Sequence, residues 1–299
     1  MRISTQTLFE TGAARLSELQ SGLVKTQQQV STGRRILTPA DDPVAAARAL
    51  EVTQSQSINT QYGVNRQHAQ SALTEVEGTL SSVTLLLQDV KTTVIAAGNG
   101  ALSDAERGFQ AIELRGRFEE LLGLANTRDA QGNYMFSGFQ TGTPAFVETA
   151  TGALYQGDLG QRRLQVDTSR QIAITHTGQS VFQGGGQDIF TTLKDLIVLL
   201  ETPGTAGLSA GLATANGDVD LALESVLTAR AAGGARLQEL DALDYAGEDR
   251  NQQYSQILSE LQDLDYSQAL SQLSQQQFTL EAAQRSFVIV SGLSLFNFL

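Results

Sequence analysis

Cysteine and tryptophan are absent from the 299 residues, and only four prolines occur, three of them before residue 150. Without cysteine there is no disulfide, no thiolate nucleophile and no cysteine-bound metal. So few prolines leave long stretches with nothing to break a helix. Basic charge is also scarce: 20 Lys and Arg stand against 32 Asp and Glu, a net charge of −12. A general nucleic-acid binder carries a basic face, so no nucleic-acid partner is expected. No apolar run is long enough for a bilayer. The C-terminal FVIVSGLSLFNFL, 287–299, falls short of the roughly 20 residues a span needs. It also lacks the Lys/Arg-rich face of an interfacial helix, and membrane insertion is not expected. The start shows no secretory signal, because Ile3, Leu8 and Phe9 are split by polar residues.

Catalytic groups are equally sparse. The two histidines, His68 and His176, stand about a hundred residues apart. No HExxH, P-loop or GxSxG motif occurs, and Gly184-Gly185-Gly186 lacks the lysine of a phosphate loop. Asp41 and Asp42 have no further ligands nearby and make a poor metal site. His68 reads as a helix-surface residue and His176 as a turn residue at the end of a strand. No catalytic residue, cofactor or metal is expected.

What remains is long helical patterning in a Gln-, Ser-, Ala- and Leu-rich chain whose length suits two or three domains. Leu16, Leu19, Leu23 and Val30, with Thr26 in the gap, repeat at three and four, the spacing of a coiled-coil seam. STGRRILTPADDP then interrupts. Gly33 fits a left-handed C-cap, Arg34 and Arg35 sit at the partly negative helix end, Asp42 can cap free N–H groups and Pro43 suits a first helical turn. A second seam runs Ala69, Leu73, Val76, Leu80, Val83, Leu87, Val90, Val94, Ala97. From Val44 to Ala97 it predicts one helix of ~80 Å. Ser103 to Glu106 is a capping box ahead of a helix carrying Ala111, Leu114, Phe118, Leu121 and Ala125.

Short alternating runs follow between Gly, Asp and Thr: GNYMFSG, TPAFVE, ALYQGD, RRLQVD and RQIAITHTG. Leu164 with Val166, and Ile172 with Ile174, show the period of two expected of strands, so 132–186 reads as a small inserted β domain with the three glycines as its exit. Helices return over Asp188 to Glu201 and, after a loop at 202–217, from about Asp218. The last seam, Tyr266, Leu270, Leu273, Gln277, Leu280, Gln284 and Phe287, predicts one helix of nearly 60 Å from Tyr254 to Gly292.

The expected fold is thus mainly α with a small β insertion, nested as helices, strands, helices. Neither terminal seam can be buried alone. Residues 1–40 carry net charge +3 and residues 251–299 net −3, so the two ends suit each other, or copies of themselves. An ordinary helix pair inside a bundle and an assembly interface both satisfy the pattern. The apolar SLFNFL ending favours an interface.

MRIST at the start, STGRRILTPADDPVAAA, RAAGGARLQELDAL at 229–243 and QALSQLSQQQFTLEAAQRSFVIVSGLSLFNFL resemble the flagellin superfamily. GNYMFSG, TPAF at 143–146, YQGD at 155–158 and SLFNFL are most similar to its hook-associated branch at the hook–filament junction. The resemblance covers essentially the whole chain. It implies an antiparallel coiled coil of both chain ends as an inner assembly domain, 1–42 with 254–299. A helical rod domain of 43–131 with 187–253 and an outer β domain of 132–186 would complete the chain. It implies an assembly interface at Leu16, Leu19, Leu23, Val30, Leu270, Leu273, Leu280, Phe287, Leu295, Phe296 and Leu299. Gly33, Arg34, Arg35, Asp41, Asp42 and Pro43 would form an interlayer joint, where Arg34, Arg35, Asp41 and Asp42 either pair across subunits or serve as caps and solvated charge. The implied role is a structural, non-enzymatic subunit of the flagellum, exported to the cell exterior without a cleaved signal. Its implied partners are a homo-oligomeric ring, the other junction protein, flagellin, and a cytoplasmic export chaperone on the C-terminal helix. Filament-forming flagellin is the alternative, and a soluble helical binding module a further one.

Overall fold

In the computed structural model, residues 2–204 and 206–296 are described, the side chains of 2–6, 8 and 291–296 excepted. The order is α1 (Arg2–Thr32), α2 (Pro43–Ala97), α3 (Asp104–Ala125), β1 (Phe146–Thr149), β2 (Gly152–Tyr155), β3 (Arg163–Asp167), β4 (Arg170–Ala173), α4 (Gly178–Phe182), α5 (Ile189–Glu201), α6 (Leu208–Gln262) and α7 (Tyr266–Phe296). The chain forms two compact units, residues 59–248 and a terminal unit of 1–58 with 249–299, the division falling inside α2 and α6.

In the unit of residues 59–248, every position of the second predicted seam, Ala69 to Ala97, is buried. The helical spacing of three and four puts them on one stripe. α3 starts on the predicted capping box: the Ser103 hydroxyl accepts from Glu106 N–H and the Glu106 carboxylate accepts from Ser103 N–H. Its buried face carries the five residues read from the sequence, plus Arg107. α5 begins after Asp188, whose carboxylate accepts from Phe190 and Thr191 N–H. The core lies among α2, α3, α5, the start of α6 and an aromatic group. Phe146 is its hub, with ring centroids 5.1 Å from Tyr155, 5.5 Å from Phe182 and 4.9 Å from Phe190. Such pairs add about 0.5–1.5 kcal/mol each beyond simple burial. Asn126, the C-cap of α3, holds Phe146 by both backbone groups: its side-chain oxygen accepts from Phe146 N–H at 2.9 Å and its amide donates to Phe146 O at 2.8 Å. A helix end therefore serves as the partner of a strand edge.

The β content is real but smaller than predicted. β1 pairs antiparallel with β2, and β3 with β4, as two separate two-stranded sheets. GNYMFSG forms turns, not a strand, between Gly132 and Gly138, both at positive φ. Tyr134, Met135, Phe136 and Ser137 are all buried, so no alternating polar face exists there for a strand to present. The same region holds an unpredicted short helix, α4, capped by the Thr177 hydroxyl accepting from Ser180 N–H. The predicted loop also shortens, since α6 begins at Leu208 and not near Asp218. Leu212, Ala215 and Val219 continue its buried face, and that packing overrides the Gly, Ser and Thr residues that suggested a loop.

The second hairpin packs on α6, where Val166, Ile172 and Ile174 meet Leu240 with Ala69 and Leu73. Arg66 is buried beneath it, pairing with Asp244 and donating to Val166 O at 3.0 Å. One guanidinium thus joins α2, β3 and α6. His176 is 6 % exposed, and its Nε2 lies 3.2 Å from Arg236 Nη1. Burial first, and the Arg236 charge second, push its pKa down to about 4. His176 lies in the connection just past β4, beyond the strand end as read, and there it is a neutral, packed imidazole. His68 is exposed on α2, as read.

Candidate assembly interface

Within the terminal unit α1 and α7 pack together as an antiparallel pair. Near one end Phe9 meets Phe287 at a centroid distance of 5.1 Å, and near the other Gly33 lies against the Tyr266 hydroxyl. Thr26, the polar residue in the α1 seam, is its most buried member, and its hydroxyl back-bonds to Gly22 O at 3.1 Å. Leu16, Leu19, Leu23 and Val30 are half-buried on the same stripe.

The α7 side is rotated from the predicted seam. Its covered stripe is Ala269, Leu273, Gln276, Leu280, Ala283 and Phe287. Leu273, Leu280 and Phe287 stand as read, but Leu270 is 50 % exposed and Ala269 takes the inward place. The small Ala269 and Ala283 suit close packing of two helices, and the larger apolar groups turn outward. Gly12 fits the same logic, because a Cβ there would lie 2.8 Å from the Phe287 ring. Leu270, Phe278, Val288, Ile289 and Val290 are left exposed on α7, with Phe9 and Val24 on α1. The side chains of Leu295 and Phe296, and the whole of Leu299, lie outside the described residues.

The joint is built from two helix interruptions hydrogen-bonded to each other. α1 ends at Gly33, whose φ of +68° is a left-handed cap. Across from it α6 stops at Gln262 and α7 restarts at Tyr266. The predicted single helix from Tyr254 to Gly292 is therefore corrected to two. Asp265 caps the restart, accepting from Ser267 and Gln268 N–H at 2.9 and 3.1 Å. Leu264 N–H donates to Gly33 O at 3.0 Å and Arg35 N–H to Gln262 O at 2.7 Å, a fragment of antiparallel ladder between residues more than 220 positions apart. Asp before a polar helix start was the signal for this break, masked by the unbroken apolar spacing around it.

The joint's charges divide their tasks. Arg35 donates to Leu261 O at 2.8 Å and reaches Asp42 at 3.4 Å. Asp42 caps α2, accepting from Ala45 N–H at 3.0 Å, with Pro43 as the first helical residue. These bonds, that from Ala45 foremost, hold the Asp42 pKa below the usual carboxylate value. Asp41 accepts from Leu37 and Thr38 N–H at 3.0 and 2.9 Å and pairs with Lys25 at 2.6 Å. Lys25 first, then the Thr38 amide, lower its pKa to about 2. Lys25 was not singled out in the sequence, since nothing local connects it to a residue sixteen positions on. Arg34 forms a backbone bridge with Asp263, but its exposed guanidinium has no partner among the described residues.

Among the described residues no group of three or more His, Asp or Glu is placed to hold a metal, and no helix is long and apolar enough to cross a membrane.

Residues 3–141 match the family profile of the bacterial flagellin N-terminal helical region. The chain is 34 % identical to flagellar hook-associated protein 3 of Escherichia coli strain K12, over 99 % of both chains. Similarity to the flagellar filament 41 kDa core protein of Borreliella burgdorferi is 26 % over 56 % of this chain and 48 % of that one. A solved structure of a flagellar hook-associated protein from Vibrio parahaemolyticus shares the fold at a TM-score of 0.70, with 24 % identity over 75 % of this chain and all of that one.

Proposed function

The chain belongs to the flagellar hook-associated protein 3 family, and from that premise we propose how its two ends serve as a structural part of the bacterial flagellum. The terminal unit is the assembly domain. The α1–α7 pair meets neighbouring copies through the apolar residues it leaves exposed, closing a homo-oligomeric ring. One side of the ring contacts the other hook-associated junction protein and the opposite side contacts flagellin. Leu16, Leu19, Leu23, Val30, Leu273, Leu280 and Phe287 hold the α1–α7 pair together, and Leu270 stands on the outward face that meets the neighbours, extended by Leu295, Phe296 and Leu299. The remaining helices form a supporting rod and the hairpins of 132–186 its outer face. Before assembly a cytoplasmic export chaperone covers α7, and the subunit reaches the cell exterior through the flagellar export route.

The observation that carries this reading is the exposed apolar row on α7, beside a seam that already occupies the opposite stripe. A monomer has no use for Leu270, Phe278, Val288 and Ile289 in water, and such rows mark interfaces. Whole-length similarity to hook-associated protein 3, against half-length similarity to a filament protein, favours the junction over the filament.

Deleting the gene tests the role. Flagellin shed unpolymerised from cells that keep intact hooks is the expected result, and normal filaments would overturn the reading. A chain lacking 293–299 should reproduce the deletion while residues 59–248 stay folded.

A further inference from the structure

Residues 59–248 carry 12 basic and 22 acidic groups. With acid in such excess, each cation has a carboxylate to choose from. Nine of the twelve take one: Arg66, Lys91, Arg107, Arg115, Arg117, Arg162, Arg170, Lys194 and Arg230. Arg128 lies over the Tyr134 ring at 4.4 Å. Arg163 and Arg236 alone have neither an anion nor an aromatic ring stacked under the guanidinium among the described residues.

The fold places these two together. The hairpin holding Arg163 packs on α6 through Ile172, Ile174 and Leu240, one turn from Arg236. Arg163 opposes Ala173 in the β3–β4 register, three residues before His176. Arg236 is half-buried and spends one N–H on the neutral His176 imidazole at 3.2 Å. That imidazole supplies no charge in return. Arg163 acts on Arg236 as a like charge, and burial with that repulsion holds the Arg236 pKa below its ordinary value. The nearest acid on α6, Glu239, is taken by Arg170 in a two-pronged pair at 2.5 and 2.7 Å. Two guanidinium groups held together by the fold, one of them partly desolvated, are unfavourable in the isolated chain and favourable once an anion bridges them.

We propose that Arg163 and Arg236 form an acceptor for a carboxylate side chain of a second copy of this chain, a charge-paired contact between neighbouring subunits. Complementarity points to a copy as the occupant. The same unit carries exposed carboxylates without a basic partner among the described residues, Glu113 and Glu119 on α3 among them. Glu113 lies one helical turn past the exposed Phe109, and Glu119 two turns past the exposed Ile112. A basic site and an acidic one at different places on the same chain can pair between copies head to tail, the kind of contact that builds rings or helical arrays. The inference rests on the assembly role proposed above.

The test uses the full chain in cells whose own gene is deleted. Replacing both arginines, Arg163→Glu with Arg236→Glu, should leave the unfolding transition of the purified chain intact and abolish swimming, with flagellin shed into the medium. Arg163→Glu alone, at an exposed site, guards against misfolding and should reduce swimming in the same direction. Restored swimming should then arise from acidic-to-basic changes within this same chain. Wild-type swimming by both variants would overturn the contact, and restoring changes found only in another flagellar protein would overturn the second copy as its occupant. The unrescued deletion strain separates the two readings. If it swims, the junction role itself falls; if it fails while the variants swim, only the charge contact does.

Discussion

Residues 59–248 and the terminal unit use the same helical spacing to opposite ends. In the first, α2 lays nine seam residues against α3, α5 and α6, and all nine are buried. Five phenylalanines are fully enclosed there: Phe118, Phe136, Phe146, Phe182 and Phe190. In the terminal unit the same spacing leaves α1 and α7 with half-covered seams and exposed apolar groups on the far side. A seam completed within the chain gives a folding core; one left half-covered gives a surface for another chain. The difference lies in what surrounds each helix, since a two-helix pair can cover only one stripe of each.

The largest expected effect concerns backbone protection in the monomer. Amide hydrogen exchange in α3 and in 69–97 should require global unfolding, whereas α1 and α7 open locally and exchange orders of magnitude faster. Limited proteolysis should likewise cut 1–40 and 255–299 before 69–125. Equal protection would erase the contrast between the units. Next in size, Phe146→Ala should destabilise residues 59–248 by about 3–5 kcal/mol in chemical denaturation. Phe287→Ala should leave that transition unmoved and impair assembly.

A smaller contrast is pH dependence. The folded pKa of His176 lies near 4, below its ordinary 6.5, so the unfolded state binds the proton more readily. The stability contributed by the neutral imidazole is complete above pH 6.5 and is lost progressively as pH falls toward 4. His176→Gln should flatten the thermal midpoint of residues 59–248 across that window. For Asp41 the window is lower: its contribution holds above its ordinary 3.8 and is lost as pH falls toward 2. Between pH 6.5 and 4 the terminal unit should therefore lose nothing through Asp41. Smallest is Gly33→Ala. It places a side chain at φ +68° and 2.8 Å from the Tyr266 hydroxyl, costing about 1–2 kcal/mol in the joint alone. A probe in α7 should register it in thermal unfolding, and one in α3 should not.

Much of this was legible before any fold was known. The buried faces of α2 and α3, the Ser103–Glu106 box, the Asp42 cap and the Gly33 stop all follow from spacing and local hydrogen bonding within four residues. The joint was legible as a break but not as an attachment. Its partner, the turn at 263–265, lies more than 220 positions away and was hidden by apolar residues that continue the heptad through it. Small residues hid the rotation of α7, because Ala269 and Leu270 fit a helical stripe equally well until α1 is placed against one of them.

Sequence by itself determined the helices, their caps, the acidic balance and the two unfinished terminal seams, because each depends on neighbours along the chain. Tertiary structure decided which stripe of α7 faces inward, and that Arg35 is bound within the joint while Arg34 is left to solvent. It also decided that His176 is buried beside an arginine, and that Arg163 and Arg236 share one region with no acid partner among the described residues. Each of these depends on distances between residues far apart in the chain, which spacing along one helix does not encode.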